Sequence, residues 1–247
     1  MEKVFSPEAT CQKIIAWLKE RVVEAGAEGG VFGLSGGLDS AVVAALCREA
    51  FGDRILGVIM PCYSQPEDVA DAELVAGELK IPTKTVDLSG IYRAMTELLT
   101  EREFSPEDHR VLAITNIKPR LRMITLYYWA AKLNYLVIGT SNRSEAYIGY
   151  STKYGDSGVD LMPIAGLVKT QVRELAKVLG VPEPIITKAP SAGLWPGQTD
   201  EGEMGFSYAD LDRFILTGQG EQGVVEAITR MHRRSSHKWQ LPPQPEL

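Results

Sequence analysis

The sequence is poor in cysteine and histidine, the side chains that most often bind transition metals, with three of each in 247 residues. Cys11, Cys47 and Cys62 are too few and too scattered for a disulfide framework or a clustered metal site. We therefore expect three free thiols. Cys47 lies in an apolar-periodic segment, which favours a buried structural thiol, whereas Cys62 follows a predicted strand and is the one thiol whose reactivity needs testing.

Long apolar runs and an excess of positive charge are also absent. No segment approaches the roughly 18 apolar residues of a membrane-spanning helix, and the N-terminal sequence has no apolar core of signal-peptide length. The formal net charge of -6 argues against nonspecific attraction to nucleic acid phosphates. We therefore expect a soluble, cytoplasmic protein that binds neither membranes nor nucleic acids.

What is present is typical of a single α/β domain spanning residues 1–247. Apolar residues make up 45% of the chain and charged residues 23%, as in globular proteins with a proper core. Predicted strands at 29–35, 54–61, 82–88 and 135–140 alternate with predicted helices. This alternation predicts an α/β fold with a doubly wound, mostly parallel sheet flanked by helices. Two long segments, 140–160 and 188–208, show no clean period and are predicted to be functional loops.

The turn between the first predicted strand and its helix has the sequence SGGLDS, residues 35–40. In an open α/β sheet this turn is the usual phosphate site, because glycines let the backbone approach a ligand and the helix directs free N–H groups at it. The string fits neither G-x-x-x-x-G-K-[ST] nor G-x-G-x-x-G. The alternative is a tight turn in which Asp39 or Ser40 only caps the helix. The position of the whole string, between a strand and a helix, favours the phosphate site.

The SGGLDS string resembles the pyrophosphate loop, SGGxDS, of the N-type ATP pyrophosphatases, which direct attack to the α-phosphate of ATP so that pyrophosphate leaves. The rest of the chain resembles one family of that superfamily, the NAD+ synthetases, almost from end to end. The resemblance rests on the strings NIKPRLRM, LVIGTSNRSE, GYSTKYGD, LVKTQVRELAKVLGVP, KAPSAGLWPGQTDE, YADLD and a late HK. It implies a Rossmann-like, adenine nucleotide alpha hydrolase-like fold and an enzyme of the last step of NAD+ biosynthesis.

The resemblance implies a reaction in which ATP adenylates the nicotinate carboxylate of deamido-NAD+ and ammonia then displaces AMP. Adenylation gives the carboxylate a good leaving group, and a metal ion and backbone dipoles stabilise the charge that develops. Asp39 and Glu145 are the implied Mg2+ ligands, and together with Lys169 they are the implied catalytic residues. The implied ATP-binding residues are Gly33, Leu34, Ser35, Gly36, Gly37, Leu38, Asp39, Ser40, Thr140, Lys169 and Ser191.

A dianionic pyrophosphate ligand favours cationic contacts. The contacts to deamido-NAD+ that the resemblance implies are Arg120, Lys153, Asp160, His237 and Lys238. Two positions depart from the family, in which many members carry basic residues where this chain has Ile59 and Trp239. We therefore expect contacts to AMP or to the far end of the dinucleotide to differ. His109 and His232 lie outside the family strings and are expected to be structural.

Glutamine-using members of the family carry a fused glutaminase domain, and we expect none here because the family strings begin near the N-terminus. Free ammonia is then the expected donor, and a separate glutaminase partner is the alternative. The resemblance also implies a homodimer with the deamido-NAD+ site near its interface. The apolar segment ITLYYWAAKL, residues 124–133, is expected to contribute to the core or to that interface.

Two other interpretations stay open. Another adenylating pyrophosphatase, such as a tRNA-thiolating protein or a GMP synthetase, would use the same loop, and thiolation would need Cys62 as a catalytic thiol. A nucleotide-binding regulator would keep the fold without the chemistry. The presence of both Asp39 and Glu145 argues against the regulator.

Overall fold

The computed structural model describes residues 5–191 and 197–245. Its sheet consists of the parallel strands β1 (Gly29–Gly33), β2 (Ile55–Ile59), β3 (Thr83–Thr85) and β4 (Tyr135–Val137). The strand order is β3-β2-β1-β4, so the chain runs outward from β1 to β3 and then returns to the other side of β1. The predicted doubly wound, parallel α/β fold is confirmed.

Helices cover the sheet and build the region beyond β4. In the described ranges they are α1 (Pro7–Glu24), α2 (Leu38–Phe51), α3 (Pro66–Glu78), α4 (Ser89–Thr100), α5 (Leu112–Thr115), α6 (Ile117–Leu133), α7 (Arg143–Ile148), α8 (Lys169–Val178), α9 (Glu183–Thr187), α10 (Asp200–Met204), α11 (Tyr208–Thr217) and α12 (Gln222–Ser235). Short 3-10 helices span Pro106–Arg110 and Ser236–Lys238. Within those ranges, no helix is both long enough and apolar enough to cross a membrane.

The core lies on both faces of the sheet, as the two-residue period of a strand requires. Phe32 of β1 packs with residues of α1, α2 and α8, whereas its neighbour Val31 packs with residues of α4 and α6. A third cluster, which includes Ile148, Leu211 and Ile228, joins α7, α10, α11 and α12 beyond the sheet. This last cluster supports the segments that complete the functional site.

Helix ends follow local signals in the sequence. Ser6 caps α1 by accepting a hydrogen bond from the Ala9 N–H, and Pro7 occupies the first helical position. Helix α2 ends at Gly52, where φ is +61°, a conformation that suits glycine. The short helix α9 has no side-chain cap among the described residues and is stabilised by packing, since Ile185 and Ile186 are buried.

The prediction that residues 140–160 form only a loop is wrong at residues 143–148, which form α7. The Asn142 side chain accepts a hydrogen bond from the Glu145 N–H at 3.0 Å, and Glu145 Oε2 accepts one from the Asn142 N–H at 3.4 Å. This capping box starts a helix that is too short to show an apolar period. In the second predicted loop, residues 200–204 likewise form α10.

Candidate functional site

A cavity of about 480 Å³ lies at the carboxyl ends of β1, β2 and β4. This is the point at which the strand order reverses, and doubly wound sheets bind ligands there. Most of the site residues expected from the sequence meet at this cavity. Those that line it are Gly33, Leu34, Ser35, Gly37, Leu38, Asp39, Ser40, Thr140, Glu145, Lys169, Ser191 and Lys238.

The loop after β1 presents the start of α2 to the cavity. Gly37 is the N-cap residue, and no described side chain caps α2, so its first N–H groups are available to an anion. Ser40 donates its hydroxyl hydrogen to the Gly37 carbonyl oxygen at 2.9 Å and lies 3.0 Å from the Ser35 hydroxyl. The alternative in which Asp39 or Ser40 only caps this helix is wrong, because α2 has no capping hydrogen bond from a described side chain. The Asp39 carboxylate instead contacts Asn142 and Lys169.

Gly36 does not line the cavity but makes the turn possible. Its φ is +79°, and a Cβ at this position would lie 2.6 Å from the Asp68 carbonyl oxygen and 2.8 Å from the Asp71 Cβ. The loop therefore packs directly on α3, and only glycine fits both the backbone conformation and the space.

We expect Gly36→Ala to weaken ATP binding about 5- to 150-fold, because relieving this overlap costs roughly 1–3 kcal/mol and 1.4 kcal/mol is tenfold in affinity. Gly218→Ala is the matched control, since Gly218 has a φ of +72° but nothing within 4 Å of an added Cβ. Titration calorimetry with ATP measures the difference. Equal ATP affinities of the two variants would contradict the steric role of Gly36.

The cavity contains a cluster of buried charges. The Lys169 ammonium donates to Asp39 Oδ2 and lies 3.3 Å from Glu145 Oε1. The side chains are only 4%, 15% and 16% exposed for Lys169, Asp39 and Glu145. Asn142 Nδ2 donates to Asp39 Oδ1 at 3.1 Å, which fixes the second oxygen of that carboxylate. Residues distant in the sequence, from α2, α7 and α8, thus converge on one cation.

The pKa values in this cluster show an excess of negative charge. Burial raises the pKa of Glu145 above its usual range, and the charge of Asp39 adds to this increase. Burial would lower the pKa of Lys169, but the carboxylates of Asp39 and Glu145 outweigh it and raise that pKa. One ammonium is therefore shared by two carboxylates that could bind further positive charge.

A third carboxylate and a phenol complete the cluster. Tyr208 donates its hydroxyl hydrogen to Asp200 Oδ2 at 2.9 Å, and the same hydroxyl lies 3.5 Å from Glu145 Oε1. Lys169 Nζ lies 5.0 Å from the centre of the Tyr208 ring. Asp200 further raises the pKa values of both Glu145 and Lys169. These contacts place the start of α10 and of α11 against the charged cluster.

The residues fit a divalent cation. Asp39 and Glu145 supply hard carboxylate oxygens, the donor type that Mg2+ prefers, and both already face a single cation. Burial and the neighbouring Asp39 charge raise the pKa of Glu145, so a bound cation here would favour its ionised form. A cation held by Asp39 and Glu145 would lie next to the loop that follows β1.

The expected dinucleotide contacts are arranged differently. Of the five, only Lys238 lines the cavity, and its ammonium donates to the carbonyl oxygens of Gly149 and Ser151 at 2.7 and 2.6 Å. Arg120, Lys153 and His237 form a separate chain of contacts: Arg120 donates to the Lys153 carbonyl oxygen, and Lys153 donates to that of His237. The roles of these residues stay predictions.

The fifth residue, Asp160, is engaged in the fold. Its carboxylate accepts hydrogen bonds from the Val137 N–H at 2.8 Å and from the Tyr127 hydroxyl at 3.0 Å. It therefore fixes the end of β4 against α6. A substrate contact by Asp160 also stays a prediction.

The sequence predicts only some of the residues that line the cavity. Lys188 and Arg122 line the cavity but were not singled out from the sequence. Lys188 Nζ lies 2.8 Å from Asp68 Oδ1 and 2.6 Å from Asp71 Oδ2, and Arg122 Nε donates to the Met60 carbonyl oxygen at 3.3 Å. Both lie within the strings on which the family resemblance rests. The sequence alone does not show whether the side chain of a single basic residue faces a cavity or the solvent.

The residue Ile59, which departs from the family pattern, lies elsewhere than the two histidines for which the resemblance implies no role. Ile59 is 4% exposed and lines the cavity, whereas His109 and His232 do not line it. His109 packs among aromatic rings, including Phe104, and burial lowers its pKa. His232 Nδ1 lies 2.7 Å from the Tyr147 carbonyl oxygen at the end of α7.

Comparison with known proteins identifies relatives along almost the whole chain. A family model described as NAD synthase matches residues 10–242. The NH(3)-dependent NAD(+) synthetase of Carboxydothermus hydrogenoformans is 55% identical over 240 residues, which cover 97% of this chain and 98% of that protein. The protein of the same name from Methanocaldococcus jannaschii is 43% identical over 259 residues, covering 98% of each.

Solved structures agree with these relatives. NMN synthetase from Francisella tularensis has 40% sequence identity and a TM-score of 0.93, over 98% of this chain and 100% of that chain. NH3-dependent NAD synthetase from Campylobacter jejuni has 28% identity and a TM-score of 0.79, also over 98% and 100%. The family match, the relatives and the shared architecture lead to one conclusion: the chain belongs to the NAD synthase family.

Proposed function

We propose that the protein catalyses the ATP-dependent amidation of deamido-NAD+ by ammonia, giving NAD+, AMP and pyrophosphate. The observation that carries the proposal is the meeting of Asp39, Glu145 and Lys169 beside the loop after β1, inside a cavity at the switch point of the sheet. The relatives named NH(3)-dependent NAD(+) synthetase support it.

The reaction proceeds in two displacements. An oxygen of the nicotinate carboxylate attacks the α-phosphorus of ATP, and the bond to the pyrophosphate oxygen breaks. Ammonia then attacks the carboxyl carbon of the adenylate, the bond to the AMP oxygen breaks, and the nitrogen loses a proton. The first step replaces the carboxylate oxygen, a poor leaving group, with AMP, a good one, and the second step expels that AMP.

The chain's own groups bind the phosphates and hold them in line. The free N–H groups at the start of α2 donate to phosphate oxygens in this proposal, and the Ser35 hydroxyl adds a donor, whereas Ser40 holds the loop through its bond to the Gly37 carbonyl oxygen. Lys169 offers a point charge to the same oxygens. Mg2+ held by Asp39 and Glu145 would supply Lewis-acid stabilisation of the developing phosphate charge.

The charge of the cavity favours a metal-dependent reaction. The described lining contains six carboxylates but only four cationic side chains, namely Arg122, Lys169, Lys188 and Lys238. Each of these cations already contacts a carboxylate or a carbonyl oxygen. A polyphosphate therefore needs added positive charge to bind here, and divalent cations bound with ATP provide it.

A mononucleotide acid is a second candidate substrate, which would make the product NMN. Two observations favour testing it: the high structural similarity to the Francisella protein, and the position of Arg120, Lys153 and His237 outside the cavity lining. The reaction at the nicotinate carboxylate is the same for both acids. The two candidates differ only in whether an AMP moiety extends beyond the cavity.

One assay tests both candidates. Purified protein is incubated with ATP, Mg2+, ammonium and either deamido-NAD+ or nicotinic acid mononucleotide, and the nucleotides are separated by chromatography. NAD+, AMP and pyrophosphate in equal amounts are expected from the first mixture. If only the second mixture gave an amide, namely NMN, the substrate would be nicotinic acid mononucleotide instead of deamido-NAD+. If neither mixture gave an amide, the proposed function would be refuted. Glutamine in place of ammonium tests whether the chain by itself can use glutamine as the nitrogen donor.

We expect Cys62→Ser to keep turnover close to that of the wild type. Cys62 is fully buried, and burial raises its pKa, so the thiol stays protonated and unreactive. A steady-state amidation assay on protein with an intact circular dichroism spectrum measures the effect. Loss of turnover in the folded variant would instead favour a thiolating enzyme.

We further propose a homodimer that uses an exposed face of α6. Ile124 and Tyr128 are one turn apart on this helix and are 60% and 59% exposed, which suits an apolar interface. Trp129 of the same helix is only partly buried and packs against the core. The single domain without a glutaminase and the cytoplasmic location stay predictions.

A further inference from the structure

The helix that carries Lys169 is capped by side chains of two other helices. The N-cap residue of α8 is Val168, which has no capping side chain. Instead, the Lys169 N–H donates to Ser144 Oγ at 3.0 Å, and the Thr170 N–H donates to Asp212 Oδ2 at 2.8 Å. Ser144 donates its hydroxyl hydrogen to Asp212 Oδ1. The start of α8 is therefore tied to α7 and to α11 at one point.

Asp212 is a buried acid behind the cavity. It is 2% exposed and Ser144 is fully buried, and neither is among the described residues that line the cavity. A buried carboxylate is costly unless donors surround it. Here the donors are a backbone N–H, a hydroxyl and the positive end of the α8 dipole. All of these donors belong to α7 and α8, the helices that carry Glu145 and Lys169.

The partners of Asp212 are direct sequence neighbours of catalytic residues. Ser144 precedes Glu145 on α7, and Thr170 follows Lys169 on α8. Glu145 Oε1 and Lys169 Nζ lie 3.3 Å apart, so a small shift of α7 against α8 would separate them. Asp212 contacts both helices where that shift would occur.

We propose that Asp212 is a positioning residue that sets the distance between Glu145 and Lys169. It acts through Ser144 and through the first turn of α8, without touching the substrate. The inference deepens the proposed function and rests on it, because the role assigned to Asp212 is in the same reaction.

Asp212→Asn is the sharpest variant, because it keeps the shape of the side chain and changes its bonding. Asparagine has one acceptor oxygen in place of two, so it cannot accept hydrogen bonds from Ser144 and Thr170 through separate oxygens. We expect kcat to fall about 10- to 100-fold, the effect of a catalytic group misplaced by about 1 Å or less. The KM for ATP should change much less than kcat, because Lys169 is only one of the phosphate contacts and the loop after β1 is untouched.

Asp210→Asn is the matched control. Asp210 lies on α11, as Asp212 does. Its carboxylate accepts a hydrogen bond from the hydroxyl of Ser207, the N-cap residue of that helix, at 2.6 Å. It also pairs with Arg213 at 2.9 Å on the surface. We expect Asp210→Asn to keep the wild-type kcat.

Amide hydrogen exchange provides a readout that does not require turnover. In Asp212→Asn, the amides of Lys169 and Thr170 should exchange faster, while those of α2 should keep their protection. A double-mutant cycle adds a second test: if Ser144 and Asp212 act together, the losses of kcat in Ser144→Ala and Asp212→Asn will not add.

The outcomes separate this inference from the proposed function. A wild-type kcat in Asp212→Asn, or unchanged exchange at Lys169 and Thr170, overturns the positioning role. A fall in kcat with faster exchange over the whole chain also overturns it, because that pattern indicates general destabilisation. Absence of any amide product from the wild-type protein refutes the proposed function itself, whereas the exchange measurement still decides whether Asp212 holds α8.

Discussion

Asp39→Ala and Glu145→Ala are each expected to lower kcat about 10²- to 10⁴-fold, which corresponds to several kcal/mol of lost transition-state stabilisation. Both carboxylates face the same buried cation beside the start of α2. Removing either one deletes half of the site at which Mg2+ would bind, so the apparent affinity for Mg2+ should fall with kcat. Amidation rates measured over a series of Mg2+ concentrations test both expectations.

Asp53→Ala is the control for this pair. Asp53 follows α2, its side chain is 87% exposed, and it pairs with Arg48 on the surface. Its removal deletes a carboxylate near the other end of the helix that carries Asp39, so kcat should stay at the wild-type value. Near-normal rates in both Asp39→Ala and Glu145→Ala would show that neither carboxylate binds a catalytic metal.

Lys169→Met is expected to abolish turnover and to lower the free energy of unfolding by about 3–5 kcal/mol, the range for removing one partner of a buried ion pair. The methionine keeps an apolar stem but leaves Asp39 and Glu145 without their shared ammonium and removes a positive charge near Asp200. Because Mg2+ can supply the missing charge to two of these carboxylates, it should stabilise the variant more than the wild type. Thermal unfolding with and without Mg2+ measures both effects.

Lys177→Met is the matched control on the same helix. Lys177 is 54% exposed and pairs with Glu174 at 2.8 Å on the surface, and an exposed pair contributes only about 0–1 kcal/mol. We expect this variant to unfold near the wild-type temperature and to respond to Mg2+ as the wild type does. If Lys169→Met behaved like Lys177→Met, the buried cluster would have no role in stability or in metal binding.

The sequence was most informative where one short segment contains the whole signal. The strand, the two glycines and the helix around residues 35–40 follow one another directly, so the chain itself predicts a phosphate loop at the end of β1. The same holds for the N-cap at Ser6 and for the helix end at Gly52. Helix α7 was missed because six residues are too few for a period, although Asn142 and Glu145 have capping-box spacing.

Contacts between distant segments could not be derived in the same way. Sequence resemblance brought Asp39, Glu145 and Lys169 into one site, but nothing local shows that the Lys169 ammonium bridges two carboxylates. Nor does any local pattern show that Asp212 caps a helix 42 residues away, since a single acid on a helix is usually exposed to solvent. These facts depend on how α7, α8 and α11 pack.

The amino-acid sequence alone determined the order of strands and helices, the parallel doubly wound sheet and the position of the glycine turn between β1 and α2. Each of these follows from periodicity, glycine placement and short-range capping, which act over a few residues. The tertiary structure alone decided which charges share the cavity, that only Lys238 of the five expected dinucleotide contacts lines it, and that Asp212 lies behind it. The reason is physical: burial and charge pairing depend on distances in space, and residues far apart in the chain acquire those distances only when the helices pack on the sheet.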